Sequence, residues 1–224
     1  DKFRFWEYIN GLGLASSYDF EDWQLFTAQL PHELDQEFLN MVARQMRPRS
    51  VEGLVIKPRY SQGQGTHVHK VSWSQWLDLN YMLSLLETMP SCPIICQQVV
   101  PYEAIYRVIV INGGAQMTHI TADFPTSEDW KVSVCLNRHQ VLLQTDPGNA
   151  DSPNTLLAFA LGQYAIALQQ AVGGEINFID IYRLASGRLV VSEINTACNL
   201  NIHSRVTGCD FAELIANYLV SLSR

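Results

Sequence analysis

The sequence is poor in lysine, and it lacks the charge clusters and cysteine pairs that mark several functional classes. The net charge is −7 and no Lys/Arg cluster is present, so we expect no nucleic-acid partner. The five cysteines are odd in number, and none has zinc-ligand spacing with a histidine or with another cysteine. This usage is typical of reduced, buried thiols in a cytoplasmic protein.

Long apolar runs are scarce as well. We find no run approaching the roughly 18 residues that a membrane-spanning helix needs, so we expect no membrane segment and no membrane partner. The first six residues, DKFRFW, are amphipathic and unlike a signal peptide. Apolar residues make up 47% and charged residues 17% of the 224 residues, an ordinary composition for a globular protein.

The spacing of apolar residues predicts an α+β fold. Helices are expected at residues 1–12, 22–27, 31–46, 74–87, 155–171 and 210–222. Strands are expected at residues 53–58, 67–71, 94–100, 105–111, 116–122, 140–145, 178–184 and 189–195. The order of these elements indicates two lobes, residues 1–98 and 99–224, and it does not match a doubly wound parallel sheet.

The last two strands carry a set of oxygen ligands. If Ser186-Gly187 forms a two-residue turn, Asp180 faces Glu193 directly across the hairpin. Asn195 lies two residues beyond Glu193 and therefore on the same face. Opposed carboxylates repel unless a cation neutralises them, and this donor set suits Mg²⁺, with Mn²⁺ as a substitute. A solvent-facing hairpin whose acids align by chance explains the same pattern.

The segment after this hairpin resembles ATP-grasp ligases. Glu193-Ile-Asn195-Thr-Ala-Cys-Asn-Leu200 resembles the family's E-x-N-x-x-x-x-L stretch. The continuation to Thr207-Gly208-Cys-Asp210-Phe-Ala212 is similar to the ribosomal-protein glutamate ligases, and the step His203-Ser204 is similar to the D-alanine:D-alanine ligases. The family's usual proline-glycine is replaced by Cys198-Asn199. An arginine of the D-alanine ligases is replaced by Phe178.

Upstream segments resemble the same family in the same order. The resemblance implies that ATP is bound by two lysines, by two glycines of a phosphate-covering loop, and by an adenine-holding hinge: Lys2, Lys57, Gly63, Gly65, Gln97, Gln98 and Val100. A strand lysine suits phosphate oxygens as a point charge, and glycine lets backbone N–H groups approach them. Read without the family, the same residues are a strand-end lysine, a hairpin tip and a buried strand.

The resemblance also implies residues on the substrate side. Arg107, Lys131 and Arg205 are cations suited to a phosphate or carboxylate, and Ser204 is suited to a substrate carboxylate. Arg107 fits a cross-strand ion pair equally well. Lys131 and Arg205 fit surface charges, and Ser204 fits the cap of a turn.

Together the resemblance implies an ATP-grasp fold, two lobes whose antiparallel sheets sandwich ATP with Mg²⁺. The implied activity is a carboxylate–amine ligase that works through an acyl phosphate, with a small-molecule or peptide carboxylate and an amine acceptor as substrates. An ATP-grasp phosphotransferase and a non-catalytic nucleotide-binding module are the alternatives. The α/β domain that usually precedes this fold is expected to be absent from this sequence, which is then either a fragment of a longer protein or a chain whose acceptor site another domain or subunit completes.

Overall fold

The computed structural model of the protein describes residues 27–48, 50, 52–59, 67–125, 140–196, 198 and 200–223. The helices expected at residues 1–12 and 22–26 lie outside this set. The chain divides into two compact units, Asp1–Pro101 and Tyr102–Arg224. The expected division into lobes of residues 1–98 and 99–224 stays a prediction.

Helices and strands alternate in blocks along the described ranges. The helices are α1 (Gln36–Met46), α2 (Trp73–Trp76), α3 (Leu79–Glu87), α4 (Pro153–Val172), α5 (Leu200–Thr207) and α6 (Phe211–Ser221). The strands are β1 (Thr27–Gln29), β2 (Leu54–Pro58), β3 (His69–Val71), β4 (Ile94–Gln98), β5 (Tyr102–Ile111), β6 (Gly114–Ala115), β7 (Thr121–Asp123), β8 (Val141–Leu142), β9 (Ile176–Leu184) and β10 (Leu189–Asn195). The α+β class expected from the sequence is confirmed.

The first unit is a four-stranded antiparallel sheet with helices on one face. The strand order is β1-β4-β2-β3, and the expected hairpin of β2 and β3 is present. Leu54, Ile56 and Cys96 alternate along β2 and β4 and lie fully buried with the apolar side chains of the helices. Because one face of the sheet makes this core, residues at the intervening positions, Val55 and Lys57 among them, lie on the other face.

Three expected elements of the sequence differ from those in the structure. The single helix expected over residues 74–87 is two helices, because Asp78 begins a new one by accepting a hydrogen bond from the Tyr81 N–H at 3.1 Å. The strand expected over residues 116–122 is a 3₁₀ turn, Met117–His119, followed by β7. Thr27, expected to end a helix, begins β1.

The second unit is an antiparallel sheet with the order β10-β9-β5-β7-β8, and the short β6 pairs with β5. Helix α4 packs along β5 and β9 and buries Leu161, Ala165 and Leu168 against them. Ser152 caps this helix by accepting a hydrogen bond from the Thr155 N–H, with Pro153 in its first turn. β5 and β9 together form the centre of the sheet that positions the candidate site.

One helix within the described residues, α4, is long and apolar enough to cross a membrane by length and composition alone. It has 20 residues and a mean hydropathy of 1.3 in its most apolar window, 39% of which is buried in the protein. The expectation that no segment reaches this length was wrong. Gly162 and several amide side chains interrupt the apolar residues of α4, so the sequence shows no continuous apolar run, but the helix carries no charged residue. Its packing along β5 and β9 is typical of a core helix, and the absence of a membrane partner stays a prediction.

Candidate active site

The turn between β9 and β10 differs from the expected one. Gly187 N–H donates to the Leu184 carbonyl at 2.8 Å, and Leu184 N–H donates to the Arg188 carbonyl at 2.9 Å. The turn therefore has three residues, and Gly187 takes a φ of +81°, the left-handed conformation that such a turn places at its last position. The expected two-residue turn at Ser186-Gly187 is wrong.

A bulge further along the hairpin compensates for this turn. Val191 pairs with Ile181 on the turn side, and Glu193 pairs with Asp180 on the other side, so the register shifts by one residue at Ser192. Asp180 and Glu193 are thus directly opposite, as the sequence predicts, although the observed three-residue turn alone would have placed Asp180 opposite Ser192. Asn195, two residues beyond Glu193, lies on the same face of the sheet.

Arg107 holds Asp180 through two hydrogen bonds. The two residues are cross-strand partners on β5 and β9, which places their side chains on one face. Arg107 Nε donates to Asp180 Oδ1 and Nη2 donates to Oδ2, each at 2.6 Å. Arg107 is 5% exposed and Asp180 is 4% exposed. This paired-fork geometry is the strongest form of carboxylate–arginine contact, and it makes Arg107 the counter-ion of a buried carboxylate.

His203 is the third member of this buried cluster. Arg107 Nη1 lies 3.1 Å from His203 Nε2. Because a guanidinium can only donate, Nε2 accepts, and the ring proton resides on Nδ1. Thr121 Oγ1 lies 3.4 Å from Nδ1 and also accepts a hydrogen bond from Gln140 Nε2 at 2.8 Å. Burial, and to a smaller extent the charge of Arg107, lowers the pKa of His203 to about 3, so the ring is neutral at physiological pH.

The joint between α5 and α6 anchors His203, and it gives Thr207, Gly208 and Asp210 of the T-G-x-D segment a structural role. Thr207 Oγ1 donates to the His203 carbonyl at 2.8 Å. Gly208 takes a φ of +71°, where α5 ends, and Asp210 caps α6 by accepting from the Glu213 N–H at 3.0 Å. These residues hold the end of the helix that carries His203, so their role here is structural.

The substrate-side residues expected from the sequence fall in different surroundings. Ser204 Oγ accepts a hydrogen bond from the Phe211 N–H at 3.4 Å, the capping contact that the sequence left open as an alternative. Arg205 is exposed on α5. Lys131 lies outside the described residues, as do Lys2, Gly63 and Gly65 of the nucleotide side. For these residues the sequence-based assignments stay predictions.

The remaining nucleotide-side residues lie in the first unit. Lys57 is half-buried on β2, and Gln97 on β4 is 4% exposed and donates from Nε2 to Thr27 Oγ1 at 3.2 Å. The register of β2 and β4 places Lys57 and Gln97 on the same face of the sheet, away from the apolar core. Gln98 lies on the opposite face, and Val100 follows the strand.

Tyr182 lies beside the opposed carboxylates of the second unit. Its ring stacks on Tyr102 with centroids 4.3 Å apart and an interplanar angle of 17°. Burial raises the pKa of Tyr182 to about 12, with a smaller contribution from the charges of Asp180 and Glu193, while a hydrogen bond with the Ser192 side chain opposes this increase. The phenol of Tyr182 is therefore neutral, and its hydrogen bond is with the bulge residue Ser192.

The donor set on this hairpin fits a hard divalent cation. Asp180 and Glu193 supply carboxylate oxygens and Asn195 supplies an amide oxygen, all from one face. Among the described residues no group of three His, Cys, Asp or Glu side chains suits a metal, so any ion bound here depends on the amide and on substrate oxygens. This requirement is typical of Mg²⁺, which usually keeps few protein ligands.

His203 is the functional candidate that sequence reasoning missed. The sequence drew attention to the step His203-Ser204, yet the role was assigned to Ser204. A histidine is buried more often as a core residue than as part of a site, so its type and spacing carried little information. Its contact with Arg107, a residue 96 positions away, is visible only in the folded chain.

Comparisons with known proteins agree with this architecture. No family model and no curated protein matches the sequence. Solved structures do match: the ATP-grasp ligase PsnB, in complex with a minimal precursor, has a TM-score of 0.63 at 13% identity over 97% of this chain and 59% of that one. D-alanine–D-alanine ligase from Bacillus anthracis has a TM-score of 0.63 at 15% identity, covering 98% of this chain and 66% of that one.

This chain has the ATP-grasp fold. A further match is the macrocyclase MdnC from Microcystis aeruginosa MRC, solved with the precursor peptide MdnA, with a TM-score of 0.56 at 15% identity over 91% of this chain and 54% of that one. PsnB has also been solved with Mg and ADP. The chain spans about three fifths of the length of the first solved structures it matches.

Proposed function

We propose that the chain provides the ATP and Mg²⁺ site of a carboxylate–amine ligase that forms an amide bond through an acyl phosphate. The observation that carries this proposal is the opposed pair Asp180 and Glu193, with Asp180 clamped by the buried Arg107, on an ATP-grasp fold. The matches to ligases support the reaction class, and the PsnB complexes with Mg and ADP support the choice of cofactors.

The protein's contribution to such a reaction is charge placement. Asp180, Glu193 and Asn195 would hold Mg²⁺, which supplies neutralisation of phosphate charge during transfer. Arg107 donates to both oxygens of Asp180 and fixes the plane of its carboxylate, so that the oxygens do not reorient when the cation binds. For Lys57, on β2 of the first unit, we keep the proposed role of a cation for phosphate oxygens.

For the substrates we propose a carboxylate of a peptide or small molecule and an amine acceptor. PsnB and MdnC were solved with precursor peptides, which favours a peptide as the carboxylate partner. We further propose that the protein works in the cytoplasm and that a further domain or subunit supplies the rest of the acceptor site. The substrate assignments rest on the fold matches and on the donor chemistry of the hairpin, whereas the cytoplasmic location rests on the cysteine usage of the sequence alone.

The test is trapping of the activated carboxylate. The protein is incubated with ATP, Mg²⁺ and a library of carboxylates, with hydroxylamine as the trap, and hydroxamate is measured alongside ADP. Hydroxamate formation is expected, because hydroxylamine attacks an acyl phosphate. A stable phosphorylated acceptor instead would contradict the ligase assignment and favour the phosphotransferase.

The role of the hairpin is tested with Glu193→Gln, which keeps the shape of the side chain and removes its charge. Loss of at least about 100-fold in nucleotide turnover is expected, since one ligand charge is lost from the site. Glu103→Gln is the matched control, because Glu103 is an exposed glutamate on β5 of the same sheet. Near-normal turnover in Glu193→Gln would show that the metal site lies elsewhere.

A further inference from the structure

We propose that His203 is a positioning residue for the carboxylate pair, and that its neutral ring holds Arg107 in the orientation that clamps Asp180. The inference about Arg107 rests on contacts in the second unit alone, whereas its consequence for metal binding rests on the proposed function. Three observations carry it: the contacts of the guanidinium, the arrangement behind the ring, and the anchoring of α5.

The guanidinium of Arg107 is held along two different edges. Nε and Nη2 face Asp180, and Nη1 faces His203 Nε2 at 3.1 Å. A guanidinium bound along one edge only can tilt about that edge while keeping charge attraction. A second acceptor on another edge fixes its plane, and the plane of Arg107 in turn fixes the plane of the Asp180 carboxylate.

The ring of His203 is held from behind by a hydroxyl that can accept a hydrogen bond from Nδ1, which agrees with the tautomer that Arg107 imposes. Thr121 Oγ1 is the partner of Nδ1, and Gln140 donates to the same oxygen. With its proton on Nδ1, the ring presents a lone pair on Nε2 to Arg107. All four residues are buried, with Thr121 and His203 at 1%, Arg107 at 5% and Gln140 at 8% exposed, so solvent does not compete effectively for these contacts.

The backbone of His203 is fixed by the α5–α6 joint. Thr207 Oγ1 donates to the His203 carbonyl, and Ser204, the next residue along, accepts from the Phe211 N–H. Phe211 is fully buried in a cluster with Ile109 and Phe178. The ring therefore approaches Arg107 from a helix that is anchored independently of the Arg107–Asp180 pair.

The consequence for function follows from how metal ligands are tuned. Residues that orient a ligand without touching the metal typically change metal affinity by about 10- to 100-fold when they are lost. Asp180 is the proposed ligand, Arg107 orients Asp180, and His203 orients Arg107. Loss of the Nε2 contact is therefore expected to weaken metal binding while leaving the three proposed ligands in place.

Two amide substitutions separate the two ring nitrogens. The side-chain amide of glutamine reaches the position of Nε2, and that of asparagine reaches the position of Nδ1. His203→Gln therefore keeps an acceptor toward Arg107, whereas His203→Asn keeps only the contact with Thr121. The first readout is the Arg107 Nε–Hε NMR signal, assigned with Arg107→Lys, and the second is Mn²⁺ affinity in the presence of ADP.

We expect His203→Asn to broaden or shift the Arg107 signal and to weaken Mn²⁺ binding by about 10- to 100-fold. His203→Gln should keep the signal and bind Mn²⁺ within about threefold of the wild type. Urea unfolding of both variants separates this effect from stability. If His203 only fills space, the loss of Mn²⁺ affinity in each variant should follow that variant's loss of stability. Equal effects of the two variants, or an unchanged Arg107 signal in His203→Asn, would overturn the proposal.

A variant that leaves His203 intact guards against misfolding of the first two. Thr121→Val keeps the side-chain shape and removes the partner of Nδ1, so we expect a weaker Arg107 signal and reduced Mn²⁺ affinity. An unchanged signal and affinity in this variant would also count against the proposal. If the wild type binds no Mn²⁺ with ADP, the proposed function fails, while the NMR difference between the asparagine and glutamine variants still decides the role of His203.

Discussion

Replacing Arg107 with methionine is expected to destabilise the second unit by about 3–5 kcal/mol, the usual effect of removing one partner of a buried ion pair. The structure supports a value in this range for two reasons. Asp180 is 4% exposed and would keep a charge without its counter-ion, and His203 Nε2 would lose its donor. Because total stabilities are commonly about 5–15 kcal/mol, this is a large fraction of the whole.

The double variant Arg107→Met, Asp180→Leu tests the cause of that loss. Replacing both partners with apolar side chains of similar volume removes the uncompensated charge, so the double variant is expected to be more stable than Arg107→Met alone. The assay is urea unfolding followed by far-UV circular dichroism, with Asp180→Leu completing the cycle. A double variant that loses the sum of the two single losses would refute the coupling, because independent residues add.

Mg²⁺ gives this cycle a functional readout. In Arg107→Met the carboxylates of Asp180 and Glu193 lack the guanidinium, so a bound cation would neutralise them, although at a higher dissociation constant than in the wild type because Asp180 is no longer oriented. At about 100 times its dissociation constant, a ligand that binds only the folded state adds about 2.7 kcal/mol. We expect stabilisation by Mg²⁺ in Arg107→Met and little in the double variant, which has lost a ligand. Equal stabilisation of both would place the cation at another site.

Three further outcomes are expected. Since the folded-state pKa of His203 is about 3, below its ordinary 6.5, stability should fall as pH drops from about 6.5 toward 3, by up to about 1.4 kcal/mol per pH unit, and urea unfolding of His203→Gln should show a flatter profile. Gly53→Ala should lower the free energy of unfolding by at least about 3 kcal/mol, because a Cβ there would lie 2.0 Å from a carbonyl oxygen at a φ of +135°. Gly113→Ala, with open space around it, should lower it by only about 1–2 kcal/mol, and equal melting temperatures of the two variants would contradict this. Deleting Ser192 should leave a folded protein, since Glu193 keeps its position opposite the same partner, and loss of the circular dichroism signal would show that the bulge is required.

Much of the fold was accessible from local pattern. The hairpin of β2 and β3, the long helix α4 and the β9–β10 hairpin follow from apolar spacing and from turn residues, and the structure confirms them. The split of residues 74–87 into two helices was missed because the helical spacing of apolar residues continues on both sides of Asp78, the residue that caps the second helix. A capping residue inside such a pattern is a weak signal unless the change in helix direction is known.

The candidate site was accessible only in part. The sequence identified Asp180, Glu193 and Asn195 as one face of a hairpin, because their spacing is short and strand geometry relates near neighbours. It gave both a substrate role and an ion-pair role for Arg107, and the structure shows the ion pair. The participation of His203 depends on a contact between a strand and a helix distant in sequence, which no local periodicity encodes.

The hairpin shows most clearly what the sequence by itself determined and what only the tertiary structure decided. Residue types and two-residue alternation determined that Asp180, Glu193 and Asn195 offer oxygen ligands for a cation. Their alignment depended on two opposite one-residue departures, a three-residue turn and a bulge at Ser192. A one-residue shift moves every side chain of a strand to the other face of the sheet. The register on the two sides of the bulge is therefore decided by burial, since Val191 pairs with the buried Ile181 and Ile194 pairs with the buried Ile179.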